Sequence, residues 1–473
     1  MTLGSQRAKS TPPPADGRRV LTAWLVLFCG LAALSQALSG CAAYRPLPLP
    51  ERPQLSDIVG GLTVDSVRPR LMPLRSIPIN PADGLEPTEL AVLAVLNSPD
   101  LAAKRAAAKV ADAQVFAAGL LPDPQLSASV DKPISGPDTH TAHSLGAAMD
   151  LGALLARPQI RWSAKWNAKQ TDLSVLWAEW GVAQQARQLA ETAMANERRA
   201  ANLRDLLRLA TNRSERTDQA LRNRDATLQT AAADLAVQLD AQVQVATAQQ
   251  DASKARRDLN LLLNLEPGVM LPLVAGPDAT PYDEAAIRDA LDSLPERRPD
   301  LLALKAGYAA QDANLRKAIL MQFPLTSLGV AFATDTAGVV TRGLSGAFAL
   351  PIFNGGRGEV RVQDVTREQL RAEYLARLDQ AAAEVTSAQS ELANARRQAE
   401  ALRVEVPRLE ARVHPAVVAY DRGDIDSQTY LTLSQAALSR RADLDNRELA
   451  ARLAQISLET ALFMPPADAK ASK

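Results

Sequence analysis

Residues 357–422 read RGEVRVQDVTREQLRAEYLARLDQAAAEVTSAQSELANARRQAEALRVEVPRLEARVHPAVVAYDR, and this stretch decides the fold. From Tyr374 onward its apolar positions are Tyr374, Leu378, Ala381, Val385, Ala388, Leu392, Ala395, Ala399, Leu402, Val406, Leu409, Val413, Ala416 and Tyr420. The spacings alternate between four and three, the 3.5-residue period of a coiled-coil seam. One continuous helix over these residues would be about 100 Å long. No ordinary globular core wraps a helix of that length, so other long helices, from this chain or from copies of it, must cover the seam. A cytoskeletal or tethering coiled coil meets that demand as well as any other fold, and the flanking sequence has to discriminate.

Zero net charge in 473 residues argues against a general binder of nucleic acid or acidic lipid. Aromatic residues make up only 4%, which suits close packing of alanine-rich helices better than a large aromatic core. The meaning of the two cysteines is set by the N-terminus. Arg18 and Arg19 precede an apolar run, residues 20–38, that ends Leu38-Ser39-Gly40-Cys41. This is the pattern of a bacterial lipoprotein signal, whose cleavage would remove Cys29 and expose Cys41 for acylation. An uncleaved anchor is the alternative, because the run is nearly long enough to span a bilayer. Ala42 occupies the position where an inner-membrane retention signal usually places Asp, which favours the outer membrane.

The expected organisation is a signal (1–40), a proline-rich lipid-anchored strap (41–87), a first repeat (88–264), a proline and glycine connector (265–283), a second repeat (284–464) and a tail (465–473). In the first repeat, helix is expected from Thr88 to Leu121 with a break at Pro99. Alternating segments follow at 125–131 and 144–151, and helix resumes near Pro158. That long helix runs to Arg222 with Val182, Ala186, Leu189, Ala193, Ala200, Leu203, Leu207 and Ala210 on its seam, interrupted by Asn196. A polar tip then leads to a return helix ending near Leu263, with Leu228, Leu235, Leu239, Val243 and Ala246 as its expected packing face.

The pattern then starts again. Pro99, Asp100, Leu101, Ala103, Ala106, Asp112, Ala113, Ala118, Leu120 and Pro124 recur 200 positions later as Pro299, Asp300, Leu301, Ala303, Ala306, Asp312, Ala313, Ala318, Leu320 and Pro324. On the same offset Asn223 falls opposite Gly423. The second copy has its expected strands at 325–334 and 340–352, the first of them with Leu328, Val330 and Phe332 on one face and Ser327, Gly329 and Ala331 on the other. Each strand has roughly the length that crosses a bilayer at a tilt. Four strands cannot close a barrel, and lipid does not tolerate open edges. Either the sheet is soluble and packed on something, or several chains share one barrel.

These residues resemble the outer membrane factors, the TolC-like efflux lipoproteins, over nearly the whole mature chain. The resemblance is carried by Pro99-Asp100-Leu101, Arg298-Pro299-Asp300-Leu301, Phe323-Pro324, Leu350-Pro351-Ile352-Phe353-Asn354-Gly355-Gly356-Arg357 and Tyr420-Asp421-Arg422-Gly423, in order and doubled. It implies a mixed fold of α-helix and membrane β-sheet, internally duplicated. A homotrimer would contribute four strands per chain to a transmembrane β-barrel and long helices to a coiled-coil α-barrel through the periplasm. It implies a passive exit duct for small molecules or metal ions, powered by a periplasmic adaptor protein and an inner-membrane transporter. Type I protein secretion is the alternative within the family, and a non-conducting structural coiled-coil lipoprotein the alternative outside it. The first copy departs from the pattern by lacking the Gly-Gly-Arg strand exit, having residues 151–158 there instead.

The resemblance implies adaptor docking at the two tips, Asn223, Arg224, Asp225 and Ala226 in one copy and Gly423, Asp424, Ile425 and Asp426 in the other. Some members carry aspartates six and nine residues after the tip glycine, forming an acidic ring at the periplasmic mouth. Thr429 and Thr432 stand there in this chain, which removes the charge from that constriction. Gly355, Gly356 and Gly358 fit neither phosphate-binding spacing and read as a strand-to-helix turn. His140 and His143 are too few for a metal site. No nucleophile, base and orienting group occur together, so neither catalysis nor a cofactor is expected. Trp162 and Trp166 follow the strands and are candidates for the lipid interface, whereas Trp177 and Trp180 read as helix packing. Pro407 and Pro415 lie inside the organising helix and read as passive kinks.

Overall fold

The computed structural model of the protein describes residues 44–57, 84–276, 282–322, 325–348 and 350–465. The signal, Cys41, most of the strap, Phe323-Pro324 and most of the tail lie outside the described residues. Residues 44–54, taken by themselves, carry neither helix nor strand.

The elements run α1 (Pro87–Asn97), α2 (Pro99–Gly119), β1 (Gln125–Asp131), β2 (Ala142–Met149), α3 (Leu151–Arg222) and α4 (Leu228–Leu262). The second copy supplies α5 (Glu284–Asp292), α6 (Leu294–Arg297), α7 (Pro299–Leu320), β3 (Leu325–Thr334), β4 (Val340–Phe348), α8 (Arg357–Asp421) and α9 (Ser427–Leu462). Helix α8 is the quoted stretch, unbroken through Pro407 and Pro415. Its seam is borne out: Ala381, Val385, Ala388, Leu392, Ala395, Ala399, Val406 and Ala416 are all buried.

Two element ends differ from the sequence reading. Helix α3 begins at Leu151 rather than near Pro158, because the Asp150 carboxylate caps it, Oδ1 accepting from Ala153 N at 2.8 Å. Strand β2 accordingly runs from Ala142 to Met149 instead of 144–151. Strand β4 stops at Phe348, short of the expected 352, since Pro351 lacks the donor a ladder needs and the chain then turns through Gly355 and Gly356 at positive φ.

The strands form one antiparallel sheet in the order β1-β2-β3-β4, so β1 and β4 both have an unpaired edge. Above this point the helices continue the same order: α2 packs on α3, α3 on α7, and α7 on α8. Toward the tips the row becomes α4, α3, α9, α8. The long helices and the strands thus form a layer four elements wide, with α2 and α4 on one margin and α8 on the other.

The packing face of α4 is the main correction. Leu228, Leu235, Leu239 and Val243 are exposed, and Ala246 with them, while Ala231, Ala241, Val245, Ala248, Ala252 and Ala255 are buried against α3. Alanine lets the two backbones approach closely, so the protomer uses the small face. The leucines point the opposite way, off the margin of the layer.

A belt crosses the middle of the molecule. Helix α1 buries Leu90, Ala91, Val92 and Leu93 against α3, and α5 and α6 bury Ile287, Ala290 and Leu294 in a cluster with Val385 of α8 and Leu458 of α9. The connector carries two parallel bridges to the strap, Ser56 to Leu265 and Leu85 to Leu273. Glu266 N donates to Ser56 O at 2.9 Å and Leu85 N to Pro272 O at 2.7 Å, which places these strap residues along the belt.

Candidate functional site

The α3–α4 and α8–α9 turns are built alike, and their geometry revises the register of the duplication. At the first, Asp225 N donates to Ala220 O and Arg224 N to Leu221 O; at the second, Asp424 N donates to Ala419 O and Gly423 N to Tyr420 O. Both are Schellman caps, in which the residue after the helix must enter the left-handed region. That residue is Gly423 at φ +79° and Arg224 at +68°, whereas Asn223 stays right-handed at −79°. Gly423 therefore matches Arg224, an offset of 199 (423 minus 224), not Asn223. The long-helix seams share that offset, Ala186 matching Val385 and Leu203 matching Leu402. The belt ends of α4 and α9 share it too, with Asn264 at +61° and Phe463 at +50°.

Arg224 carries a backbone cost of about 1–2 kcal/mol that a glycine would not. Arg224→Gly is expected to raise the stability of its turn by about 1 kcal/mol, and Gly423→Val to lower that of the other by at least as much. Hydrogen exchange of the amides flanking each turn checks both.

At the tips Asn223, Arg224, Asp225, Asp424 and Asp426 are exposed, and Ala226 and Ile425 are half-buried. Asp426 is the N-cap of α9, its Oδ1 accepting from Thr429 N at 2.6 Å. That backbone hydrogen bond, with a second from the Thr429 side chain, holds the carboxyl below the usual aspartate range. Its capping contribution is therefore present above the ordinary carboxylate pKa and fades as pH falls below it. Thr429 and Thr432 lie one turn apart and are exposed. Arg213 of α3 donates to Thr432 Oγ1 at 3.3 Å and pairs with the buried Asp234 of α4 at 2.7 Å. Arg216 donates to the Tyr420 hydroxyl at 2.7 Å, and Tyr420 stacks on Tyr430 at 5.3 Å. The four helices are thus tied together by side chains directly behind the tips.

At the other end the sheet separates its faces by chemistry. The register puts Leu126, Val130, Leu145, Leu328, Val330, Phe332, Leu344 and Phe348 on one face, all exposed, with His143 and Arg342 on that face toward its loop end. Ser127, Ser129, Ser144, Gly146, Gly329, Ala331, Gly343 and Ser345 share the other. A Cβ on Gly329 would meet Ala147 O at 2.5 Å, so only glycine allows this approach of β3 to β2. His143 sits in the sheet opposite Thr334 and Val130, and His140 in the loop, where its N donates to Thr336 O at 3.2 Å.

Trp177 and Trp180 pack on Phe463 at 6.4 and 5.0 Å. Trp162 is exposed and stacks on Trp166 at 6.4 Å. It lies about 17 Å along α3 from the strand end. Nearer the sheet, Leu120, Leu121, Leu155, Leu350, Ile352 and Phe353 are exposed, Phe353 at 98%. These residues form an apolar collar at the strand-to-helix junctions.

Burial also gives a structural role to a residue that the sequence marks only as part of a helix opening. Arg298 is 0% exposed, pairs with both Asp300 oxygens at 2.8 and 3.0 Å, reaches Glu384 at 3.1 Å and Ala461 O at 3.1 Å, and lies over the Trp177 ring at 4.7 Å. Arg377 completes the network, 2.8 Å from Asp300 and 2.7 Å from Glu384. Burial alone would raise the Glu384 pKa, but hydrogen bonds from Arg377 and Arg298 outweigh it and hold the carboxyl low.

Solved structures share this layered arrangement. The outer-membrane channel OprN is 16% identical over 89% of this chain and 99% of its own, with a TM-score of 0.66. The chain has the outer membrane channel fold. The Campylobacter jejuni CmeC outer membrane channel (17% identity, 89% and 94% covered, TM-score 0.63) and CusC, described for transmembrane channel formation (18%, 89% and 99%, 0.61), are similar in the same way. No protein-family model matches the sequence, and no curated protein does. No helix among the described residues is long and apolar enough to cross a membrane.

Proposed function

We propose that this chain is a TolC-like outer membrane factor, a lipoprotein whose homotrimer is the passive exit duct of a tripartite efflux pump. The observation that carries the reading is the layer with two open margins, topped by a sheet that exposes one apolar face. Lipid leaves no water for unpaired strand edges, so the sheet must close on other copies. Three copies supply twelve strands and enclose a lumen lined by the serine, glycine and alanine face. The collar from Leu120 to Phe353 sits at the periplasmic headgroups. Thr429 and Thr432 line the far mouth without charge, and no chemistry is asked of the protein.

Single-channel recording of the purified protein in a planar bilayer tests this. Discrete ohmic steps are expected from the trimer; an assembly that inserts without conducting would leave the structural coiled-coil lipoprotein instead. Lipidation at Cys41 is checked by mass spectrometry of the mature N-terminus, which should carry a diacylglyceryl thioether. Cys41→Ser is expected to leave the barrel in the membrane, because strands rather than the acyl chains hold it there.

The tips dock the adaptor in this reading. Arg224, Asp225 and Asp424 present both signs of charge, while Asp426 is engaged in capping. Arg224→Glu with Asp424→Lys keeps both backbones as they are and inverts the pattern. Substrate accumulation in cells should rise to the level of a deletion strain, with adaptor crosslinking lost and trimer level unchanged. Normal transport and crosslinking in the double variant would refute docking through these charges.

A further inference from the structure

Between α7 and α8, just above the belt, a cleft of about 230 Å³ is lined by Lys305, Tyr308, Arg371 and Tyr374. Lys305 Nζ donates to Pro295 O at 2.8 Å and lies 5.7 Å from the centre of the Tyr374 ring. Among the described residues neither Lys305 nor Arg371 has an ion-pair partner, so two cationic heads face a space walled by two phenol rings.

The duplication supplies an internal control. Lys305 matches Arg105 in the first copy, and each donates to the carbonyl ten residues upstream, Pro295 and Val95. Arg105, however, is paired with the buried Glu179 at 2.8 Å, and on the long-helix offset of 199 the counterpart of Glu179 is Leu378. On the same offsets Tyr308 stands where the first copy has Ala108, Arg371 where it has Asp172, and Tyr374 where it has Val175. One scaffold thus carries two opposite solutions. The first copy neutralises its cation with an internal acid; the second removes the acid, adds a cation and adds two rings.

We propose that this cleft binds a small ring-bearing carboxylate, the arginine fork and the lysine taking the anion and the tyrosines taking the ring. A bare inorganic anion would leave the phenol walls unused, and a neutral aromatic would leave both cations without a counter-charge. The cavity is smaller than sites for drug-sized ligands, which limits the occupant to one or two rings.

The test is equilibrium binding of 1-naphthoate to the purified full-length protein in a non-ionic detergent, read by calorimetry, with 1-naphthamide as the neutral comparison. Saturable sub-millimolar binding of naphthoate is expected, at least tenfold tighter than the amide. The triple variant Tyr308→Ala, Arg371→Asp and Tyr374→Val installs residues that the first copy already accommodates on this scaffold, and should weaken naphthoate at least tenfold. Lys305→Met alone should weaken it several-fold. Absence of saturable binding, equal affinity for the amide, or undiminished affinity in the triple variant would overturn the assignment. Because the readout is binding to the isolated protein, its failure would leave the transport reading untouched.

Discussion

Replacing Leu235 and Leu239 with glutamate is expected to abolish the trimer while leaving the protomer's helices intact. Both side chains are exposed on α4, on the side away from α3, and α4 is a margin of the layer. In a closed ring they are covered by the α8 margin of the next copy, which exposes Val404 and Val418 in its lower half. Fully burying an exposed leucine contributes about 1.5–3 kcal/mol; these two are already about half buried, so each boundary loses about 1.5–3 kcal/mol before the cost of burying two carboxylates is added. A ring of three has three such boundaries. Native mass spectrometry should find monomer in place of trimer, with the helical circular dichroism retained. A control at Ala241, which faces α3, should behave oppositely: Ala241→Glu disrupts the protomer itself. An intact trimer carrying both glutamates would show that the α4 leucines are not at a subunit boundary.

Arg298→Met should open the belt. The substitution keeps the buried aliphatic stem but removes the guanidinium that Asp300 and Glu384 share with Arg377. Breaking a buried ion pair typically costs 3–5 kcal/mol; with Arg377 retained and Glu384 partly exposed, about 3 kcal/mol is expected. That corresponds to roughly 100-fold faster exchange of the α5 and α7 amides, at tenfold per 1.4 kcal/mol. The sign of the pH dependence follows from Glu384. Its folded pKa is lowered, so its contribution is present above the ordinary carboxylate value of about 4.5 and is lost as pH falls through the folded one. Wild-type belt protection should therefore drop on acidification below that value, and the Arg298→Met protein should show a shallower drop. Arg298→Lys retains charge but not the bidentate fork, and should fall between them.

The long helices, their seams and the strands β1 and β3 follow from local periodicity, because a 3.5-residue seam and a two-residue alternation are written in consecutive side chains. The start of α3 was not legible in this way, since Pro158 is compatible with a first turn and only the packed helix shows it inside, with Asp150 as the cap. The tip register escaped for a different reason. Residue identity in the helix openings aligns the copies at 200 whereas the long-helix seams run at 199, and the hydrogen bonds that place Arg224 and Gly423 at the same left-handed position decide which offset holds at the tips. Hydropathy misassigned α4, because it ranks leucine above alanine for burial. Within the chain close backbone approach wins and selects the alanines, leaving the leucines exposed. The belt was least legible of all. Arg298 reads as part of a helix opening, and its burial is decided by Glu384 and Ala461, residues 86 and 163 positions away in the chain. The sequence by itself thus determined the elements, their doubling and the apolar faces; which face packs within the chain and which stays exposed was decided only when the elements packed, because burial belongs to pairs of surfaces and not to a residue.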